Sequence, residues 1–138
     1  MKLSLLMIML ALTTCAEIKI GVEISGESEY HTAIASATRS ALRTIGDVTN
    51  DWEASKRDLT ILVIIATYTS GEKKEDLILG ISMIAIKPNS KELYGIYSTT
   101  LNVGKWSNYK TLVLDAINNI DATAFKNMRN EQRANLQK

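Results

Sequence analysis

Hydrophobic residues alternate with polar or small ones in the first regular stretch of the chain. Between residues 18 and 25, isoleucine or valine occupies every second position, and Lys, Gly, Glu and Ser fill the positions between them. This period of two predicts a strand with one face turned inward. In "SGESEYHTAIASATRSALRTIG", which follows, apolar side chains recur at spacings of three and four, so we expect a helix that ends near Gly46. The apolar stripe of this helix consists of Tyr30, Ile34, Ala37, Ala41 and Ile45.

Three strands in the middle of the chain are predicted to form a meander. Residues 59–69 and 77–86 are rich in β-branched and aliphatic side chains, and the charged loop "SGEKKED" separates them. Pro88 and Asn89 indicate the next turn, after which "ELYGIYSTTLNVG" supplies a third strand. A short edge strand near 48–52 is expected to precede the meander.

The end of the chain is predicted to be helical. A helix begins near Ser107, and a second helical segment begins at Asp121 with Phe125 and Met128 as its apolar anchors. From Arg129 onward nearly every residue is polar, which predicts a frayed tail.

The order of these elements indicates one small α+β domain over 17–138. We expect a mostly antiparallel sheet of four to five strands, in the order β-α-β-β-β-β-α, with two helices packed on one face. The first connection crosses over, and the others are expected to be hairpins. This order is similar to that of small α+β domains in some bacterial envelope proteins, such as the amino-terminal part of the TolB type. The similarity is one of topology and carries no site residues.

The two long strands of the meander are apolar on both faces, which is unusual for an antiparallel sheet with helices on one side. In the first of them, Leu62 and Ile64 point away from Ile61 and Val63; in the next, Ile84 belongs to the second face. Three alternatives explain this pattern. The segment after Asp121 wraps over the second face, a partner covers it, or the surface is simply apolar. The partner would be a second copy, giving a homodimer, or another envelope protein.

The first 16 residues have the layout of a secretory signal. Lys2 is followed by an apolar run over 3–12 and by small residues over 13–16. The run is too short to span a bilayer, which needs about 20 residues. Cleavage after Ala16 predicts a periplasmic or extracellular protein. A lipobox that ends at Cys15 predicts an outer-membrane lipoprotein instead, and a third alternative retains the segment.

Charge and cysteine content narrow the class of partner. The chain has 16 Lys and Arg against 15 Asp and Glu, so removal of Lys2 with the signal leaves 15 against 15. A neutral domain argues against nucleic acid, which favours a basic surface. Cys15 is the single cysteine, so intrachain disulfides are excluded and we expect contact with a membrane only through a lipid at Cys15.

No catalytic or metal-binding constellation is evident in the sequence. His31 is the single histidine and has no second His or Cys to join it in a metal site. Asp47, Asp51 and Glu53 lie together in a polar segment but lack the spacing of a calcium loop. We therefore expect no enzyme activity, no cofactor and no metal.

These observations favour an exported, non-catalytic protein that binds another protein or itself. Two alternatives remain: a protein that binds a small, lipid-like ligand, and a hydrolase that uses two carboxylates. The candidate interface residues are the two tryptophans and three aliphatic residues of the second sheet face: Trp52, Trp106, Leu62, Ile64 and Ile84.

Overall fold

The computed structural model describes residues 17–50, 57–69, 71, 77–88 and 95–138. The first strand, β1 (Ile18–Gly26), leads into helix α1 (Ser28–Arg43) and then into the short strand β2 (Val48–Asn50). Ile18 and Ile20 are fully buried beneath α1, because the alternation in β1 directs these side chains to the helix side of the sheet. In α1, Ile34 and Ala41 of the predicted stripe are buried, together with Thr38 and Leu42, which the predicted stripe did not include.

Three long strands follow β2. They are β3 (Leu59–Thr69), β4 (Leu77–Lys87) and β5 (Gly95–Lys105). A 3₁₀ turn at Trp106–Asn108 connects β5 to helix α2 (Tyr109–Ile120).

The carboxyl-terminal segment is helical throughout. A π-helical turn at Asp121–Phe125 joins α2 to helix α3, which spans Lys126–Leu136. Met128 is the buried residue of α3. The fraying expected beyond Arg129 stays a prediction.

The five strands form one sheet in the order β2-β1-β3-β4-β5. β1 pairs in parallel with both β2 and β3, whereas β3, β4 and β5 are successive antiparallel neighbours. The α+β class, the order of elements and the helices on one face are confirmed, and the meander is antiparallel as predicted.

The connection between β2 and β3 differs from the hairpin expected there. β3 is parallel to β1 and lies on the side of β1 opposite to β2, so the chain between β2 and β3 cannot be a hairpin.

One hydrophobic core lies between the sheet and the helices. Its centre is formed by strand residues that face the helices together with Ile34 of α1, Ile117 of α2 and Phe125, all of them inaccessible to solvent. Met128 of α3 belongs to this same core. The carboxyl-terminal segment therefore packs on the helix side and does not wrap over the second face of the sheet.

Candidate functional site: the open face of the sheet

The side of the sheet that faces away from the helices carries a continuous apolar surface on β3, β4 and β5. We call it the open face. It is formed by alternate residues of the three strands: Leu62, Ile64, Ala66 and Tyr68 of β3; Ile78, Gly80, Ser82, Ile84 and Ile86 of β4; and Leu101 and Val103 of β5. Each is exposed or half-buried.

The strand register arranges these residues in rows that run across the sheet. Leu62 is directly opposite Ile84, which brings two of the three predicted aliphatic residues into contact distance. The third, Ile64, lies opposite Ser82, which in turn lies opposite Leu101. The three aliphatic residues that the sequence indicated thus share one surface. Their role in an interface stays a prediction.

The most exposed apolar side chains of the open face lie on β5 and at one end of β3. Leu101 is 73% exposed, Tyr68 66% and Val103 61%. On the described parts of β3, β4 and β5, Lys105 is the one charged side chain on this side, at the end of β5. The surface therefore combines large aliphatic groups with an almost complete lack of charge, which is the composition found at the centre of protein interfaces.

A polar strip on β1 borders the open face. The guanidinium of Arg57 donates a hydrogen bond of 3.1 Å to Glu23, and its side chain covers Gly21. A Cβ at position 21 would overlap the Arg57 side chain, so glycine leaves room for this packing. The apolar area consequently ends at β3.

Trp106 lies away from the open face, in an aromatic cluster beside the helices. Its ring stacks on Tyr109, with 4.7 Å between centroids and an interplanar angle of 11°, and it meets Tyr30 at 4.7 Å and 56°. Burial and the nearby Glu29 and Glu27 raise the pKa of Tyr30. Trp106 is half-buried against the core, so packing accounts for its position. Its role as an interface residue stays a prediction, and Trp52 lies outside the described residues.

Two of the polar residues considered for chemistry, His31 and Asp47, are engaged in structural contacts. His31 Nε2 lies 3.1 Å from the carbonyl oxygen of Gly26 and can donate a hydrogen bond to it. Asp47 accepts two hydrogen bonds from Arg129, at 2.5 and 2.6 Å. Asp51 and Glu53 lie outside the described residues. Among the residues that the structure describes, no three potential metal ligands come together.

A shallow groove of about 370 Å³ lies between α1 and α2. Small residues of α1, such as Ala37 and Ser40, form one wall, and Tyr109, Lys110 and Leu114 of α2 form the other.

In the described part of the chain, no helix is both long and apolar enough to cross a membrane.

Comparison with known proteins relates the chain to solved structures alone. No protein-family model matches it, and neither does any curated protein. A dodecamer of a point variant of PelC from Paraburkholderia phytofirmans is similar in structure, with a TM-score of 0.51 and 13% sequence identity over 74% of this chain and 84% of that one. This chain shares the fold of PelC.

Two further structures resemble the chain more distantly. A second PelC dodecamer from the same organism has a TM-score of 0.47 and 16% identity, over 73% of this chain and 83% of the other. A hypothetical protein from Chlamydia trachomatis has a TM-score of 0.41 and 8% identity, over 88% of this chain and 96% of the other.

The candidate residues chosen from the sequence include three of the eleven residues that form the open face. Tyr68, Leu101 and Val103 are its most exposed apolar residues, and none is among the residues predicted from the sequence. The signal was present for β5, because Leu101 and Val103 alternate with Asn102 and Gly104 as they do on a half-exposed strand. Assigning alternate residues to the two faces of β5, as was done for Leu62 and Ile64 on β3, would have identified Leu101 and Val103.

Proposed function

We propose that this chain is an exported, non-catalytic protein that acts by associating with copies of itself through the open face. The observation that carries the proposal is the continuous apolar surface on β3, β4 and β5. Each large aliphatic side chain gains about 1.5–3 kcal/mol when it moves from water into a packed interface. Contiguous apolar surfaces of this kind mark interaction sites in soluble proteins.

Two features favour self-association over a different partner. Residues 17–138 have equal numbers of acidic and basic residues, so copies do not repel each other through net charge. The PelC protein that shares this fold is a dodecamer. This likeness supports assembly as the mode of action, although at 13% identity it does not carry the contacts.

The non-catalytic part of the proposal rests on how the polar groups are used. His31 faces a backbone carbonyl, and Asp47 and Asp121 are both held by Arg129. Export rests on the signal-like pattern of residues 1–16, and we expect the periplasm or the extracellular space as the destination, with lipidation at Cys15 as the alternative.

Sedimentation velocity of the exported protein across a wide range of concentrations tests the proposal. We expect a mass that is a multiple of the chain mass, and we expect Leu101→Glu to shift it to the monomer because the charge would be buried at the contact. Leu136→Glu is the matched control, since Leu136 is 70% exposed but lies at the end of α3. Circular dichroism should be unchanged in both variants.

Two results would contradict self-association through this face. A wild-type protein that remains monomeric at every concentration would rule out assembly. A Leu101→Glu variant that assembles as the wild type does would place the contact elsewhere.

A further inference from the structure

The open face is not flat, because its smallest residues lie together near its centre. Ala66, Gly80 and Ser82 form a hollow that spans β3 and β4: Ala66 lies opposite Gly80, and Ser82 is the next residue of β4 on the same side. Larger aliphatic groups border the hollow along the strands, with Ile78 and Ile84 on β4 and Ile64 on β3. The surface therefore has a depression about two residues long.

A ridge runs beside this hollow on β5. Val103 lies opposite Gly80, and Leu101 lies opposite Ser82, so the two most exposed aliphatic residues of the open face flank its smallest ones. Because β5 is at the edge of the sheet, no further described strand supports these side chains on their outer side. Leu101 and Val103 are consequently exposed on their outer side, and they are larger than Ser82 and Gly80, the residues directly opposite them on β4.

We propose that the Leu101 and Val103 ridge of one copy packs into the hollow of Ala66, Gly80 and Ser82 of a second copy, and that a two-fold axis between the sheets makes the contact reciprocal. This inference rests on the proposed self-association and specifies its geometry. A two-fold axis parallel to the sheets places each ridge over the other copy's hollow at the same time, which is the requirement for an isologous contact. The product is a four-layer arrangement with helices outside and two sheets inside.

Charge and area both suit a second copy as the occupant. The described strands β3, β4 and β5 present one charged group on this side, Lys105, at the margin of the face, so face-to-face contact brings no like charges together at the centre. Three strand spacings and the rise from Ile78 to Ile86 give an open face of about 14 Å by 27 Å. Two such faces have a flat area of about 750 Å², and the relief of the side chains raises the area buried between them to on the order of 1,000 Å², the lower limit for a specific protein contact.

Gly80 gives the sharpest test, because a side chain there is compatible with the isolated chain. A Cβ at position 80 would have the carbonyl oxygen of Ala66 at 3.7 Å as its nearest contact, an ordinary van der Waals distance. The backbone therefore accommodates a Cβ at this position, and the rest of a leucine side chain would extend into the hollow. We expect Gly80→Leu to weaken self-association at least tenfold, measured as the dissociation constant by sedimentation equilibrium of the exported protein.

The matched control is Gly46→Leu, which adds the same side chain where a Cβ has nothing within 4 Å; its dissociation constant should equal that of the wild type. The double variant Gly80→Leu with Leu101→Ala exchanges ridge and hollow, so it should recover most of the lost affinity. If Gly80→Leu fails to fold, as judged by circular dichroism, Ser82→Leu fills the same hollow from the neighbouring position of β4.

The outcomes separate this inference from the proposed function. Dissociation by Gly80→Leu with recovery in the double variant supports the ridge-and-hollow contact. If a folded hollow-filling variant associates as the wild type does while Leu101→Glu dissociates, the ridge-and-hollow contact is overturned and association through the open face stands. A wild-type protein that is monomeric, or that binds only a different protein, overturns both.

Discussion

Arg129 of α3 holds Asp47, which lies 82 positions earlier in the chain, through two hydrogen bonds of 2.5 and 2.6 Å. Its guanidinium also lies 2.8 Å from Asp121 at the start of the π-helical turn. One cation thus joins the loop between α1 and β2 to the carboxyl-terminal helices. Arg129 and both carboxylates are partly buried, so this contact is stronger than an exposed ion pair.

We predict that Arg129→Met lowers the free energy of unfolding by about 1–3 kcal/mol, because it leaves Asp47 without its hydrogen-bond donor and Asp121 without its ion-pair partner. Methionine preserves most of the apolar stem, so the loss reports the charge and the hydrogen bonds. Urea denaturation followed by circular dichroism measures it. The control is Arg133→Met, at an exposed position of the same helix, and equal losses in the two variants would contradict a specific role for Arg129.

The same contact predicts a pH dependence. Hydrogen bonds from Arg129 hold the pKa of Asp47 below its ordinary value, against the opposing effect of partial burial. A carboxyl group whose pKa is lower in the folded state stabilises the fold above its unfolded pKa, about 3.9, and that contribution disappears as the pH falls through the folded pKa.

We therefore predict that the difference in unfolding free energy between the wild type and Asp47→Asn is constant from about pH 7 to about pH 4 and shrinks below about pH 4. Urea titrations of both proteins at a series of pH values measure the difference. A difference that persists unchanged, or that grows, as the solution becomes more acidic would show that Asp47 is not the titrating group.

The fold was largely predictable because most of its elements are visible in the local sequence pattern. β3 spans Leu59–Thr69 as expected, and the alternation in β1 identified its buried side. The pairing of β3 with β1 was not predictable in this way. β2 has only three residues. The local pattern of a strand does not indicate which strands pair with it, or whether the pairing is parallel or antiparallel.

The candidate site was predictable where it depends on strand periodicity, although that periodicity was not used for β5, and it was not predictable where it depends on distant contacts. Leu62 and Ile64 follow from counting the faces of β3. The hollow and the ridge beside it require the register of three strands, since Ala66, Gly80 and Val103 become neighbours only after pairing. The contact of Arg129 with Asp47 has no local signal at all, because it joins two polar segments that only tertiary packing brings together.

Processing of the amino terminus is a third testable feature. We predict that the protein recovered after expression of the full sequence in an exporting bacterial host lacks residues 1–16, because small residues precede that boundary and the apolar run is short. Intact-mass spectrometry measures this. In a Cys15→Ala variant the same cleavage should occur, whereas dependence of processing on Cys15 together with an added lipid mass would establish the lipoprotein alternative.

The junction of β1 and α1 supplies the last prediction, because it depends on a glycine that no other residue can replace without strain. Gly26 has a φ of +117°, and a Cβ there would overlap the carbonyl oxygen of Ile65, its partner in the β1–β3 register. We predict that Gly26→Ala lowers the free energy of unfolding by about 1–3 kcal/mol or more, because of backbone strain combined with displacement of β3.

Gly46→Ala is the control, since a Cβ at position 46 meets nothing within 4 Å. It should change the free energy of unfolding by no more than about 1 kcal/mol. Urea denaturation compares the two variants, and a Gly26→Ala protein as stable as the Gly46→Ala protein would contradict this account of how β1 turns into α1.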